Sequence, residues 1–137
     1  MRRMGAGVAV LKGGEVLLIR RGDDGLWDVP GGGAEAGEVP EHTARRELAE
    51  ETGLGAGVLR PLAVFQHPYT YPDGNVVEWE THLFIASCCG EEVQAGDDAR
   101  EARWWPLDAL PQAVSGTTAR YFEALGQAVA PSRHARS

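Results

Sequence analysis

Three carboxylates crowd one short stretch of the chain. Glu47, Glu50 and Glu51 lie in a segment with helical spacing. At 3.6 residues per turn, Glu47 and Glu51 lie one above the other and Glu50 lies beside them. Like charges at this spacing destabilise a helix by about a few tenths of a kcal/mol per pair. Mg²⁺ prefers oxygen ligands and would reverse the sign of that interaction, so the cluster indicates a divalent cation site.

An arginine accompanies the carboxylates. Arg46 precedes Glu50 by one helical turn, so it can pair with the carboxylates and hold them in position. Some of these side chains would bind Mg²⁺ or Mn²⁺, and one could instead take a proton from an attacking water. Such a site suits a phosphoanhydride, which needs relief from its own negative charge and a positioned nucleophile. The alternative is a solvated acidic helix face, which we would favour for an isolated E-x-x-E-E.

A glycine-rich loop, Pro30-Gly31-Gly32-Gly33, comes shortly before this helix. Consecutive glycines cost chain entropy, and they are useful where the backbone must turn sharply or approach a ligand or metal closely. Taken alone, the loop is equally consistent with a flexible connection. Next to Arg46 and the carboxylates, it strengthens the prediction of a metal site.

The whole stretch resembles the Nudix box, and every fixed position of that motif is filled. The matching residues are Gly32, Glu38, Arg46, Glu47, Leu48, Glu50, Glu51, Gly53 and Leu54. Residues 26–32 resemble the usual lead-in to the box, and residues 102–110 resemble the common segment after the last core strand. The resemblance spans most of residues 4–130.

The resemblance implies a MutT-like hydrolase of a nucleoside diphosphate linked to a further group, dependent on Mg²⁺ or Mn²⁺. It also implies an α/β/α sandwich around a central mixed sheet. By position, the metal ligands would be the Gly31 carbonyl, Glu50 and Glu51. Glu47 would be a ligand or the general base, and the catalytic set would be completed by Arg46 and Glu38, which orient the site.

A further acidic residue outside the box often completes such a site, shortly before the tryptophan. Asp98 is our first choice for this ligand and Glu101 our second, and either could be a solvated loop acid. Glu101 is also a candidate substrate contact.

Two arginines and two tyrosines are candidate substrate-binding residues. Arg20 and Arg21 end a predicted strand and could contact phosphates, although surface charge is the alternative. Tyr69 and Tyr71 lie in the segment 66–75 and could stack on a base, although packing within the loop is equally consistent. Base–aromatic stacking contributes about 1–3 kcal/mol in nucleic-acid binders.

Composition limits the class of protein. The chain has 137 residues, which predicts one domain, placed at 1–130, with a flexible tail at 131–137. Its net charge of -7 and lack of a long basic run disfavour long nucleic acids as partners, and no apolar run is long enough for a membrane span. The adjacent Cys88 and Cys89 fit a reducing cytosol, so we expect a cytoplasmic protein, a monomer or homodimer, acting on a small-molecule nucleotide.

Hydrophobic patterning places these residues on secondary structure. The carboxylate helix is predicted to begin near Val39 or Pro40, with a weak N-cap at Val39, and to end before Gly53. Its core face would consist of Ala44, Leu48 and Thr52. Residues 66–75 are predicted to form a loop or wide hairpin, and residues 90–103 mostly a loop. Strands are predicted at 5–11, 16–19, 58–65, 76–88 and 104–105, and a second helix at 117–129.

The substrate remains open at this stage. The choices are a nucleoside triphosphate, a nucleotide sugar, a dinucleoside polyphosphate or ADP-ribose, with a weak preference for the first two. An RNA 5′-end hydrolase is less consistent with the acidic balance. The alternative to an enzyme is an inactive nucleotide-binding or regulatory module, which we would expect to have lost box carboxylates.

Overall fold

The computed structural model describes residues 2–87 and 99–134, with side chains described for 2–87 and 101–128. In chain order the strands and helices are β1 (Arg2–Lys12), β2 (Glu15–Arg21), β3 (Trp27–Asp28), β4 (Gly31–Gly33), α1 (Pro40–Thr52), β5 (Arg60–Thr70), β6 (Val76–Ser87), β7 (Ala99–Pro106) and α2 (Gly116–His134). In these parts of the chain, no helix combines the length and the apolar character needed to cross a membrane.

The described strands form one mixed sheet. The central path runs β3-β2-β1-β6-β5, with β4 paired to β1 and β7 paired to β2. The β1–β6 pair is parallel, whereas the other pairs are antiparallel. The predicted mixed sheet is therefore confirmed.

One helix covers each face of the sheet. Because side chains alternate along a strand, β1 sends Val8 and Val10 to one face and Ala9 to the other. Val8 and Val10 pack with Ala44 and Leu48 of α1, while Ala9 belongs to the separate cluster that contains Tyr121 and Leu125 of α2. The predicted α/β/α sandwich is confirmed, and its two cores lie on opposite faces of the sheet.

Helix α1 begins and ends as the sequence predicts. Val39 makes no side-chain capping hydrogen bond to any described residue, Pro40 takes the first turn, and Gly53 adopts φ 77 after the last turn. Glycine is favoured at that position because it has no Cβ to clash in the left-handed region. The buried face contains the predicted Ala44, Leu48 and Thr52, and also Thr43.

Two predicted loops are partly strand. Residues 66–70 extend β5, whose Thr70 pairs with Val76, so the hairpin alternative is confirmed for this segment. Residues 99–103 belong to β7 rather than to a loop, because they pair with β2 from Arg21↔Ala99 to Leu18↔Arg103. Their polar composition gives little strand signal, and the partner strand supplies the hydrogen bonds.

Helix α2 is longer than predicted and continues past 129 to His134. The division into a domain at 1–130 and a tail at 131–137 stays a prediction.

Candidate active site

Arg46 is the central cation of the carboxylate cluster. Its Nε and Nη2 donate to Glu38 Oε2 at 2.6 Å and Glu38 Oε1 at 3.0 Å. Its Nη1 donates to Glu47 Oε2 and Glu50 Oε1, both at 3.1 Å, and Nη2 also donates to the carbonyl of Gly33 at 3.0 Å. A planar guanidinium suits such forked contacts. One side chain therefore joins α1, the segment before it and the glycine loop.

Glu38 acts as the counterpart of Arg46. Its Oε1 also accepts from the Glu35 amide at 2.8 Å and from the Thr43 hydroxyl at 2.9 Å. The hydrogen bonds from Arg46, followed by that from Glu35, lower the pKa of Glu38 to about 2. Glu38 therefore stays ionised at neutral pH and anchors the loop to α1, where the residue at the N-cap offers no side-chain oxygen.

Glu51 lies in a different environment. Its Oε1 accepts a hydrogen bond from the Gly31 amide at 2.8 Å. Burial, followed by the nearby charges of Glu47 and Asp28, raises the pKa of Glu51 to about 8. A buried carboxylate beside other carboxylates is the kind of group that a divalent cation would stabilise in its ionised form.

The glycines of β4 allow close contact on both sides of the loop. A Cβ at Gly32 would lie 2.5 Å from Glu47 Oε1, and a Cβ at Gly31 would lie 2.6 Å from the carbonyl oxygen of Ala6. The absence of side chains at these glycines brings the loop against α1 on one side and β1 on the other. The predicted close approach of this backbone to a ligand or metal stays a prediction.

A cavity of about 530 Å³ opens on the α2 face of the sheet, within the usual range for a small-molecule site. Glycines of β1 and β4 line it together with the aromatic and polar side chains of Asp28, Tyr69, Trp79, Thr118 and Tyr121. Gly31, Gly32 and Gly33 thus border the cavity and also contact α1. The carboxylates and the cavity are neighbours across one short loop.

A model of the NUDIX domain matches residues 1–125 of this chain. The chain belongs to the Nudix family. The resemblance read from the motif is confirmed.

Relatives of this Nudix chain carry hydrolase names. An ADP-ribose pyrophosphatase from Methanocaldococcus jannaschii is 39% identical over 104 residues, covering 74% of this chain and 60% of that protein. A Bacillus subtilis protein provisionally named an 8-oxo-dGTP diphosphatase is 37% identical over 113 residues, covering 81% of this chain and 71% of its own length. The chain thus spans about 60–70% of the length of these relatives.

Solved structures agree with the fold. The crystal structure of a MutT Nudix hydrolase from Burkholderia pseudomallei matches with a TM-score of 0.80 at 28% identity, covering 90% of this chain and 98% of that chain. The two helices and the mixed sheet therefore form a Nudix fold.

Nudix hydrolases generally need a divalent metal ion, and the donors of this chain fit a hard cation by type. The Nudix box places Glu47, Glu50 and Glu51 on one helix, where Arg46 holds the first two and Gly31 holds the third. Among the described residues, no three His, Cys, Asp or Glu side chains are already grouped to hold a metal. Binding would require at least some carboxylates to turn from Arg46 or the Gly31 amide toward the ion.

The other predicted ligands have different outcomes. The described contact of Gly31 with the carboxylates uses its amide, and the predicted role of its carbonyl stays a prediction. Asp98 lies outside the described residues. Glu101 lies on β7 opposite Arg20 and forms an ion pair with Arg103 at 3.7 Å.

The predicted substrate contacts divide into two groups. Arg21, Tyr69 and Tyr71 line the cavity, and the two tyrosine rings meet edge to face with centroids 4.8 Å apart. Arg20 and Glu101 are not among the cavity-lining residues that the structure describes. Arg20 instead donates from Nε to the carbonyl of Gly25 at 3.1 Å.

Sequence reasoning missed Asp28, Trp79, Thr118 and Tyr121 as cavity residues. Asp28 gave a weak signal, since it stands just before the glycine loop in a short extended piece. Trp79 lies in the middle of the longest predicted strand and looks like an ordinary core residue. Thr118 and Tyr121 reach the site only because α2 folds over the sheet face that holds it.

Proposed function

We propose that this Nudix domain is a divalent-metal-dependent pyrophosphohydrolase. It would cleave a phosphoanhydride bond in a nucleoside diphosphate linked to a further group. The observation that supports this most strongly is the Arg46 cluster, in which one guanidinium gathers Glu38, Glu47 and Glu50 beside a glycine loop that borders a cavity. The pyrophosphatase and diphosphatase names of its relatives agree with it.

We assign metal binding to Glu50, Glu51 and the Gly31 carbonyl, with Asp98 as a further ligand. Glu47 would be either a ligand or the general base. When bound, Mg²⁺ or Mn²⁺ supplies the positive charge that offsets the negative charge of the phosphates.

The chain's own groups prepare this site. Arg46 limits the rotation of Glu47, whose side chain is only 15% exposed. A carboxylate held in this way is oriented to accept a proton from water. Glu51, with its pKa raised to about 8 by burial, holds a proton at neutral pH until a cation favours its ionised form.

The candidate substrates are the nucleotide classes that the resemblance to the family implies. The relatives' names point to ADP-ribose and to an oxidised nucleoside triphosphate, and nucleotide sugars and dinucleoside polyphosphates are further candidates. Arg21, Tyr69 and Tyr71 would contact the nucleotide from the cavity. An inactive binding module is disfavoured, since Glu47, Glu50 and Glu51 are all present.

The test is a panel of these substrates, each with Mg²⁺ and with Mn²⁺, and with products identified by chromatography and ³¹P NMR. Glu51→Gln and Glu47→Gln should each lower kcat by about 10²-fold or more while the protein stays folded. Glu41→Gln is the matched control, because Glu41 lies on the same helix and pairs with Arg45 at 3.2 Å, away from Arg46.

Unchanged turnover in both site variants would overturn the assignment of the carboxylates. Failure of the unaltered protein to hydrolyse any substrate of the panel with either metal would favour the inactive module. Hydrolysis in H₂¹⁸O would identify the phosphorus that is attacked.

A further inference from the structure

Asp28 places a carboxylate on the wall of the cavity. Its Oδ1 accepts hydrogen bonds from the Val29 amide at 2.7 Å and from the Thr118 hydroxyl at 3.0 Å. These two donors occupy the usual acceptor capacity of one oxygen. The contact described for Oδ2 is a long one, 3.4 Å to Arg21 Nη1. Oδ2 therefore has acceptor capacity that a ligand could use, and 19% of the side chain is exposed.

Thr118 fixes the direction of that carboxylate. It is 1% exposed, and its own amide donates to Ser115 Oγ at 3.1 Å at the start of α2. Rotation of the Asp28 side chain would leave a buried hydroxyl without this acceptor, which is unfavourable. Asp28 is thus held with Oδ1 engaged by Val29 and Thr118. Among the described residues, Oδ2 makes only the long contact to Arg21, and Asp28 lines the cavity.

Trp79 contributes an aromatic ring to the same cavity, and the Arg3 guanidinium lies 5.4 Å from the centroid of that ring. It lies on β6 in register with His67 of β5, and both residues line the cavity. A Cβ at Gly33 would lie 3.3 Å from the Trp79 ring, so the ring packs directly against the glycine loop. A planar heterocycle resting on Trp79 would have its attached phosphates beside the loop that contacts α1.

We propose that the cavity binds the base of the nucleotide on Trp79, and that Asp28 Oδ2 selects bases with an exocyclic amine over bases with a carbonyl at that position. The inference deepens the proposed function and rests on it for the site of phosphate cleavage. An ionised carboxylate only accepts hydrogen bonds, so it pairs with an amine, whereas a carbonyl would set oxygen against oxygen. Burial raises the pKa of Asp28 above its ordinary value, while the hydrogen bond from Thr118 and the charge of Arg21 act in the opposite direction. The Val29 amide, the Thr118 hydroxyl and the Arg21 guanidinium all donate to this carboxylate, an arrangement that suits its ionised form.

The test uses α,β-methylene nucleoside diphosphates, which cannot be hydrolysed at the bridging position. Three matched pairs exchange an amine for a carbonyl: adenine with hypoxanthine, cytosine with uracil, and guanine with xanthine. Affinities are measured by calorimetry with Mg²⁺ at about pH 8.5, because burial raises the pKa of Asp28 and a higher pH shifts the carboxyl toward its ionised form. In the pair that binds most tightly, the amino member should bind about tenfold more tightly, as expected for a hydrogen bond to a charged group.

Asp28→Asn keeps an oxygen for Thr118 and can place its amide nitrogen where Oδ2 was. The preference should then fall below about threefold or reverse, because an amide nitrogen donates to carbonyls. Thr118→Val removes the hydroxyl that orients Asp28 and should reduce the same ratio. Trp79→Leu should weaken both members of the pair by a similar factor and leave the ratio unchanged.

Asp108→Asn is the matched control, since Asp108 is exposed and is not among the described cavity-lining residues. It should leave affinities and ratios as in the unaltered protein. Circular dichroism melting checks that each variant is folded.

The inference is overturned if no pair shows a preference for the amine, if no analogue binds, or if the preference survives Asp28→Asn in a folded protein. These outcomes are separate from those of the proposed function. If the protein hydrolyses substrates but does not discriminate between bases, only this inference is overturned. If it binds amino bases selectively but hydrolyses no substrate, the proposed enzymatic function is overturned and the proposed base-binding site stands.

Discussion

At the scale of single residues, two carboxylates in or next to α1 have pKa values shifted in opposite directions. Glu38 is held by Arg46 and by the Glu35 amide, which lower its pKa to about 2. Glu51 is buried near Glu47, which raises its pKa to about 8. The two environments differ because the Arg46 guanidinium contacts Glu38 and two further carboxylates, Glu47 and Glu50. The hydrogen bond described for Glu51 comes instead from the Gly31 amide.

The raised pKa of Glu51 predicts a pH dependence of stability in the metal-free protein. Between its ordinary value of 4.5 and about 8, the folded state binds a proton that the unfolded state releases. The contribution of Glu51 to stability is therefore fully present below pH 4.5 and is lost as the pH rises to about 8. The loss is at most about 1.4 kcal/mol per pH unit, and less because the side chain is only partly buried.

Urea denaturation in EDTA at several pH values measures this effect. The difference in the free energy of unfolding between the unaltered protein and Glu51→Gln should shift in favour of the variant as the pH rises from about 5 to about 8. A difference that stays constant over this range would contradict the assigned burial. Glu41→Gln, on an exposed part of the same helix, should give a constant difference.

At the scale of elements, β4 joins the two halves of the site. Its three glycines pair with Gly5, Ala6 and Gly7 of β1, so the strand is pressed against the sheet on one side and against α1 on the other. Side chains at different positions of β4 would therefore meet different obstacles. Substitutions of adjacent glycines should therefore affect stability and activity differently.

Gly31→Ala and Gly32→Ala test this difference. A Cβ at Gly31 meets the backbone of Ala6 and Gly7, which cannot move without breaking the β1–β4 pairing, so stability should fall by about 1–3 kcal/mol. A Cβ at Gly32 meets the flexible carboxylate of Glu47, so stability should fall less and kcat should fall more.

Thermal melting and steady-state kinetics separate the two effects. Gly55→Ala is a neutral control, since a Cβ there would meet no described atom within 4 Å. Equal losses of stability in the two β4 variants would contradict this account of the strand.

The start of α1 offers a stabilising change. Val39 is 62% exposed, stands at the N-cap with φ -92 and ψ 159, and makes no capping bond to a described residue. Val39→Ser should raise the free energy of unfolding by about 1 kcal/mol, because serine can accept from the free amides of the first turn. Chemical denaturation checks this, and Val58→Ser, at an exposed valine outside any helix, controls for lost surface hydrophobicity.

At the scale of the whole molecule, the sheet separates the helix that carries the carboxylates from the helix that closes the cavity. The glycine loop lies where the two sides meet. With a net charge of -7, the chain would be stabilised by cations that offset the charge of its own carboxylates and of the proposed substrate. Metal binding should therefore stabilise the folded molecule as a whole.

The melting temperature should rise with Mg²⁺ concentration. At a Mg²⁺ concentration of about a hundred times the dissociation constant, the free energy of unfolding should be about 2.7 kcal/mol higher than without the ion. NaCl at matched ionic strength should have little effect, because bound metal rather than screening supplies the gain. The double variant Glu50→Gln/Glu51→Gln should lose the Mg²⁺ response. An undiminished response in that variant would place the ion elsewhere.

The sequence by itself determined the family and the fold of this protein, and the chemistry of the site follows from it as a prediction. The spacing of Glu47, Glu50 and Glu51 on one helix depends only on local periodicity, and it indicated a metal site. The resemblance of the whole stretch to the Nudix box correctly predicted the family and the sandwich fold. It also predicted the bounds of α1, whose proline and glycine signals act over a few residues. Local signals were less informative for β7, where pairing with β2 outweighs a polar composition.

Only the tertiary structure decided which residues surround the cavity. Asp28, Trp79 and Thr118 come from three distant parts of the chain, and they meet because β1 pairs with β6 in parallel while α2 packs on that face. Residues so far apart share no sequence period, so no spacing rule could group them. Tertiary packing also set the different states of Glu38 and Glu51, because burial and hydrogen-bond partners determine pKa values and the sequence gives neither directly.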